Sequence, residues 1–139
     1  MRILLADDNP AMLDCVTEIL MSADYEVIGA LLEGERVLSE AERLRPDVLV
    51  LDISMGKVSG IELARLLQAD GFSGKIIFLT VHEDQDFLRA AIAAGGFAYV
   101  VKSRLDLDLV PALRAAWCGR LFVSASLRYH DAALDERTA

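Results

Sequence analysis

Five residues at the ends of apolar runs hold most of the chemical potential of this sequence. Asp7-Asp8 follow Ile3-Leu4-Leu5-Ala6, Asp52 follows Val48-Leu49-Val50-Leu51, Thr80 follows Ile76-Ile77-Phe78-Leu79, and Lys102 follows Ala98-Tyr99-Val100-Val101. If those run ends share one edge, three carboxylates, a hydroxyl and an ammonium converge. Three carboxylates in one cleft repel each other and favour a hard divalent cation. Magnesium suits such a set, because it takes a few carboxylate or carbonyl oxygens and completes its shell with water or phosphate oxygens. Lys102 then offers a point charge to a phosphoryl oxygen and Thr80 a hydroxyl to another. Asp52 becomes a nucleophile able to form an aspartyl phosphate. Singly, each residue has a plainer account: an acid after a strand is commonly a helix N-cap, and a lone Thr or Lys a strand end or a surface charge. Those accounts do not predict which run ends in which residue type. The joint pattern carries the inference.

The runs themselves are of strand length, and several are apolar throughout, as strands buried on both faces should be. Val27-Ile28-Gly29-Ala30-Leu31 makes a fifth. Between them the apolar period becomes helical. Pro10 suits a first helical position, with Leu13, Val16 and Leu20 on one face. A second helix is predicted over Gly34 to Leu44, stopping before Pro46, and a third over Ser59 to Asp70, closed by Gly71. The fourth covers Glu83 to Ala94 with Gly95-Gly96 as its stop, and the fifth carries Val110, Leu113 and Trp117 at core spacing. Five strands alternating with five helices predict a three-layer α/β fold with a parallel sheet. In such sheets ligands gather outside the carboxyl ends of the strands. That is the edge the five residues need.

With 139 residues the chain suits one domain with a sizeable core. A hydrophobic fraction of 54% with 26% charged residues marks a globular chain, not a disordered one. No apolar run approaches bilayer length, and no secretion signal opens the chain, so no membrane partner is expected. A net charge of −8 argues against nucleic-acid binding by this segment alone, since neutralising phosphates needs a basic face. Cys15 and Cys118 sit in helix-like patterns without metal-ligand spacing, and are expected as buried, reduced thiols of a cytosolic protein.

The acidic pair Asp7-Asp8, the lone Asp52, Thr80, and Lys102 with Tyr99 three residues before it resemble the receiver domains of two-component response regulators. The likeness covers about residues 1 to 118. Met55, three residues after Asp52, and Gly60, eight after it, agree with it. The stretches LTVHEDQDFLRAAIAAGGFAYVVKS and GRLFVSASL are most similar to the NarL/LuxR class. The resemblance implies a flavodoxin-like, doubly wound five-stranded parallel sheet of order 2-1-3-4-5. It places a receiver domain over residues 1–120, with 121–139 as a C-terminal tail or the start of a linker. A short helix there would be capped by Ser126, with Leu127 and Leu134 touching the body or a neighbouring chain. It also implies Mg2+ as cofactor, held by the Asp8 and Asp52 carboxylates, by Asp7 through a water and by the Ser54 backbone carbonyl. Asp52 would take a phosphoryl group from a phosphohistidine of a sensor histidine kinase, with Lys102 neutralising charge. Thr80 and Tyr99 resemble the switch pair: Thr80 moves to the phosphoryl group and Tyr99 turns inward.

A chain of this kind is a cytoplasmic signalling switch, either a single-domain receiver or part of a transcriptional regulator. It catalyses only its own phosphoryl transfer and dephosphorylation, and forms a homodimer on phosphorylation. Two departures stand out. The family commonly has proline four residues after the acceptor, whereas Gly56 and then Lys57 stand here, which predicts a more flexible loop. His82, two residues after Thr80, is expected as an exposed loop histidine. Two other classes compete. Phosphatases of the haloacid dehalogenase type also use a strand-end Asp, magnesium, Thr or Ser and Lys, but Asp52 is followed by Ile53 and Ser54, without their second acid. A receiver-like module that is never phosphorylated would usually have lost an acid or the lysine, and none is lost.

Overall fold

A computed structural model describes residues 1–128 of the chain. In chain order the elements are β1 (Arg2–Ala6), α1 (Pro10–Ser22), β2 (Glu26–Leu31), α2 (Val37–Leu44), β3 (Val48–Asp52), β4 (Ser54–Met55), β5 (Val58–Ser59) and α3 (Gly60–Ala69). Then come β6 (Lys75–Thr80), α4 (Gln85–Ala93), β7 (Gly96–Val101), α5 (Leu105–Trp117), β8 (Phe122–Val123) and α6 (Ala125–Arg128). Three of the helices open on a side chain that satisfies their first free N–H groups. Asn9 accepts from Ala11 and Met12 to cap α1 ahead of Pro10, Ser59 accepts from Glu62 at α3, and Asp84 accepts from Phe87 at α4.

Six strands form one all-parallel sheet in the order β2-β1-β3-β6-β7-β8. The first five reproduce the expected 2-1-3-4-5 order, and β8 adds a short sixth. Alternate residues of each strand face opposite sides. Leu4, Leu49, Leu51, Ile76, Phe78, Tyr99 and Val101 pack with α2, α3 and α4 on one face. Ile3, Leu5, Val48, Val50, Ile77, Leu79 and Val100 pack with α1 and α5 on the other. Leu13, Val16 and Leu20 form the buried face of α1, as their spacing predicted.

Several local expectations need correction. The segment from residue 121, expected as a tail or linker start with a short helix touching the body, packs on the body as far as it is described. β8 pairs with β7, Leu127 is fully buried, and a short helix does form over Ala125–Arg128. Leu134 lies outside the described residues. The helix expected from Gly34 begins as a 3-10 turn, Gly34–Arg36, and becomes α-helical only at Val37. On α5 the core face is Leu105, Leu109, Ala112, Leu113 and Ala116. Trp117 is 53% exposed and Val110 half-buried; apolar residues all round this helix left its buried side ambiguous. Cys15 and Cys118 are both exposed. Cys15 is next to Val16 in α1, about 100° round the helix from that core position.

Candidate functional site

The carboxyl ends of β1, β3, β6 and β7 bring the chemically interesting residues to one edge. Asp7 and Asp52 are buried, at 2% and 4% exposure, whereas Asp8 faces solvent. One carboxylate oxygen from each of the three lies within 4.8 Å of the others. The Lys102 ammonium stands 2.7 Å from Asp7 Oδ2 and 3.4 Å from Asp52 Oδ2. Local backbone fixes the remaining oxygens: Asn9 N–H donates to Asp7 Oδ1 at 2.9 Å, and Ser54 N–H to Asp52 Oδ1 at 3.1 Å.

Burial pushes the Asp52 carboxyl up to about 6, and the Asp7 charge adds to it; Lys102 and the Ser54 N–H recover only part of the shift. Burial also opposes the Lys102 ammonium, but the Asp7 hydrogen bond and the charges of Asp52 and Asp7 outweigh it and hold the group above its ordinary value. Three ionised carboxylates against one ammonium leave a local charge of about −2, which a divalent cation would balance. Asp7 Oδ2 is buried against the Lys102 ammonium, whereas Asp8 keeps its carboxylate open to solvent. An oxygen-only donor set of three carboxylates fits magnesium.

Beside the carboxylates, the loop after β6 is tied down through one residue. Thr80 is buried, and its Oγ1 accepts from the His82 N–H at 2.9 Å. Tyr99 is also fully buried, and its hydroxyl donates to the His82 carbonyl at 3.1 Å. Tyr99 thus lies inside the fold, tied to the loop after β6. Burial pushes its hydroxyl up to about 12, with the Thr80 hydroxyl acting against that and the Asp84 charge adding to it. It remains a proton donor at neutral pH. His82 itself is not the exposed loop residue that was expected. It is half-buried, stacks on Phe87 at 4.1 Å with the rings 10° apart, and lies 3.2 Å from the Ser54 hydroxyl through Nε2.

Two glycines shape the segment after Asp52. Gly56 and Lys57 turn an antiparallel hairpin between β4 and β5, with Gly56 at φ +63. A positive φ at the first turn position is the type II′ pattern, which glycine adopts without strain and proline cannot. The loop expected after Asp52 is thus a two-residue turn between paired strands. Gly60 opens α3 directly against Asp52: a Cβ there would overlap the Asp52 carbonyl oxygen and come within 2.9 Å of the Ile53 Cα.

Comparison with known proteins follows from this geometry. The sequence profile of the response regulator receiver domain matches residues 3–114. The chain belongs to the response regulator receiver family. This receiver is 32% identical over 126 residues to the nitrate/nitrite response regulator protein NarL of Escherichia coli K12, covering 90% of the chain and 58% of NarL. Other curated relatives are likewise covered only to 53–65% of their length. Among solved structures, the isolated REC domain of RcsB from Salmonella enterica serovar Typhimurium, determined with the phosphomimetic BeF3−, superposes with a TM-score of 0.85 at 26% identity. That match covers 93% of this chain and 96% of the other. RcsB dimers bound to two parallel DNAs give the same TM-score and identity, covering 93% of this chain and 66% of theirs. The receiver accordingly sits with the NarL/LuxR class, and no helix among its described residues is long and apolar enough to cross a membrane.

Of the predicted site residues, the receiver fold brings Asp7, Asp8, Asp52 and Lys102 into one cluster, with Ser54 joined to Asp52 through its N–H. Thr80 and Tyr99 meet at the His82 main chain. Sequence reasoning missed the main-chain role of His82, which no side-chain pattern could reveal. It also missed Ser124, fully buried next to β7, whose only signal was a polar residue behind the short apolar run of GRLFVSASL.

Proposed function

We propose that this receiver is a cytoplasmic phosphoacceptor switch that takes a phosphoryl group onto Asp52 from the phosphohistidine of a sensor histidine kinase. The observation that carries the reading is the meeting of three carboxylates within 4.8 Å with a lysine ammonium 2.7 Å from one of them. Asp8 and Asp52 would hold Mg2+ through carboxylate oxygens, with Asp7 through a water and the Ser54 backbone carbonyl completing the set. When bound, the ion neutralises charge on the phosphoryl oxygens and orients them for in-line displacement. Asp52 Oδ attacks phosphorus while the phosphorus–nitrogen bond of the donor breaks, and the imidazole leaves with its electron pair. Lys102, already anchored between Asp7 and Asp52, meets a phosphoryl oxygen without having to be drawn in.

Phosphorylation then offers Thr80 a new partner. As the Thr80 hydroxyl turns to donate to a phosphoryl oxygen, the His82 N–H is released and the loop leading to α4 is free to shift. Tyr99 follows through the His82 carbonyl, and the surface of α4, β7 and α5 changes. Both arrangements exist before phosphorylation, which changes their populations. The output is self-association into a homodimer, within a longer transcriptional regulator or as a receiver acting alone.

Intact-mass measurement after incubation with acetyl phosphate tests the reading. Wild-type protein gains one phosphoryl mass with Mg2+ and none after chelation, and Asp52→Asn gains none under either condition. Phosphorylation of Asp52→Asn at the wild-type rate, or of wild type without metal, overturns it.

A further inference from the structure

Lys102 stands on a turn whose two ends are gripped by a buried polar chain that the phosphoryl chemistry has not yet used. β7 ends at Val101, the 3-10 turn Lys102–Arg104 follows, and α5 starts at Leu105. β8 pairs with β7 as far as Tyr99 opposite Val123, and the Ser124 N–H donates to the Tyr99 carbonyl at 3.0 Å. In an uninterrupted parallel ladder the next bond would run from Val101 N–H to the Ser124 carbonyl. That carbonyl is instead turned into α6, where it accepts from Leu127 N–H at 3.0 Å. The Ser124 hydroxyl takes its place. Val101 N–H donates to Ser124 Oγ at 3.0 Å, and that hydroxyl donates to Asp108 Oδ2 at 2.7 Å. Asp108 also accepts from Arg104 Nε at 2.9 Å.

The chain Val101–Ser124–Asp108–Arg104 therefore holds the residue before Lys102 and the second residue after it. Ser124 is fully buried and Asp108 nearly so. A carboxylate buried to this degree needs partners, and here they come from Arg104, at the end of the turn that carries Lys102, and from Ser124, just after β8. Lysine is a flexible four-carbon stem with a compact charge, so where its ammonium lies depends on how firmly its root is held. We propose that Ser124 and Asp108 are positioning residues for Lys102, fixing the turn that carries it so that its ammonium stays between Asp7 and Asp52. This assignment rests on Asp52 being the phosphoacceptor. It also makes the segment after residue 120 a working part of the site. A displacement of about 1 Å at a reacting group can cost up to roughly a hundredfold in rate, so loss of one brace is expected to be felt.

The test uses the full chain and follows the rate of Asp52 phosphorylation by acetyl phosphate in Mg2+, by intact mass. Mg2+ binding is read in parallel by calorimetry and stability by urea unfolding. Ser124→Ala is expected to slow phosphorylation by about tenfold while leaving Mg2+ affinity unchanged. In a Lys102→Ala background the same substitution should change the rate by less than about twofold, because the group it positions is gone. Leu127→Ala loosens the same segment without touching the polar chain and should keep the rate within about twofold of wild type. Arg104→Gln, at the solvent end of the chain, should slow the reaction in the same Lys102-dependent way, and it carries the test if Ser124→Ala does not fold. A wild-type rate in Ser124→Ala (or in Arg104→Gln, if that variant carries the test) overturns the proposal. So does slowing that persists without Lys102, or equal slowing in Leu127→Ala. A different pattern strikes the phosphoacceptor reading itself: wild type that takes no phosphoryl group, or Lys102→Ala that reacts as fast as wild type.

Discussion

Neutralising Asp52 should make the metal-free protein more stable, although it removes the acceptor. Burial and the Asp7 charge lift the Asp52 carboxyl from 3.8 to about 6, net of the help from Lys102 and the Ser54 N–H. A folded-state value above the unfolded one means that the folded chain holds the proton more tightly. Acid therefore stabilises the wild type through this group. The benefit is complete below about pH 4 and is lost as the pH rises through about 6. A shift of about 2 units at 1.36 kcal/mol per unit makes the charged Asp52 a burden of about 3 kcal/mol at pH 7. Asp52→Asn never carries that charge. In urea unfolding with chelator present, the variant should be more stable than wild type by up to about 3 kcal/mol at pH 7, and the gap should close towards pH 4. Added Mg2+ should stabilise the wild type selectively, by about 2.7 kcal/mol at a hundred times its dissociation constant, and so narrow the gap again. A difference that stays flat between pH 4 and 7, or a variant less stable than wild type at pH 7, would refute the account of a strained, charge-crowded acceptor.

Two further substitutions probe the backbone around the acceptor and the switch. Gly60→Ala would gain about 1 kcal/mol in an ordinary helix, but here its Cβ meets the Asp52 backbone, which cannot swing aside. A net loss of about 1–3 kcal/mol in urea unfolding is expected, and a gain would show that the close approach is not real. Tyr99→Phe deletes only the hydroxyl that binds the His82 carbonyl, at a cost of about 1 kcal/mol. Sedimentation with and without beryllofluoride and Mg2+ should show self-association induced in wild type and much reduced in the variant. An identical response in both removes the Tyr99 hydroxyl from the mechanism.

The strand-end residues were legible because strands buried on both faces tolerate polar groups only where the sheet stops. Asp7, Asp52, Thr80 and Lys102 therefore interrupt apolar runs at points that a simple alternation of strand and helix could align. Elements too short to show a period were not legible. β8 has two residues, as do β4 and β5, and neither the sixth strand nor the hairpin at Gly56 could be read from a window that small. The misplaced core face of α5 has a related cause, since Leu107, Val110 and Trp117 add apolar residues to its outer side. Buried polar bonds were hidden for another reason. Nothing in the text of Ser124 or Asp108 distinguishes a solvated side chain from one locked in the interior.

Both bonds that meet at residue 82, from its N–H to Thr80 and to its carbonyl from Tyr99, are made by atoms every residue but one possesses. In the proposed switch, the message between Asp52 and the output surface would therefore travel along a wire that does not depend on what is hung from it. The imidazole, through Ser54 and Phe87, is free to answer a different demand at the mouth of the site. Transmission and roofing can be tuned separately at a single position, by main chain and side chain respectively. Only proline, which has no N–H to give Thr80, would cut the wire.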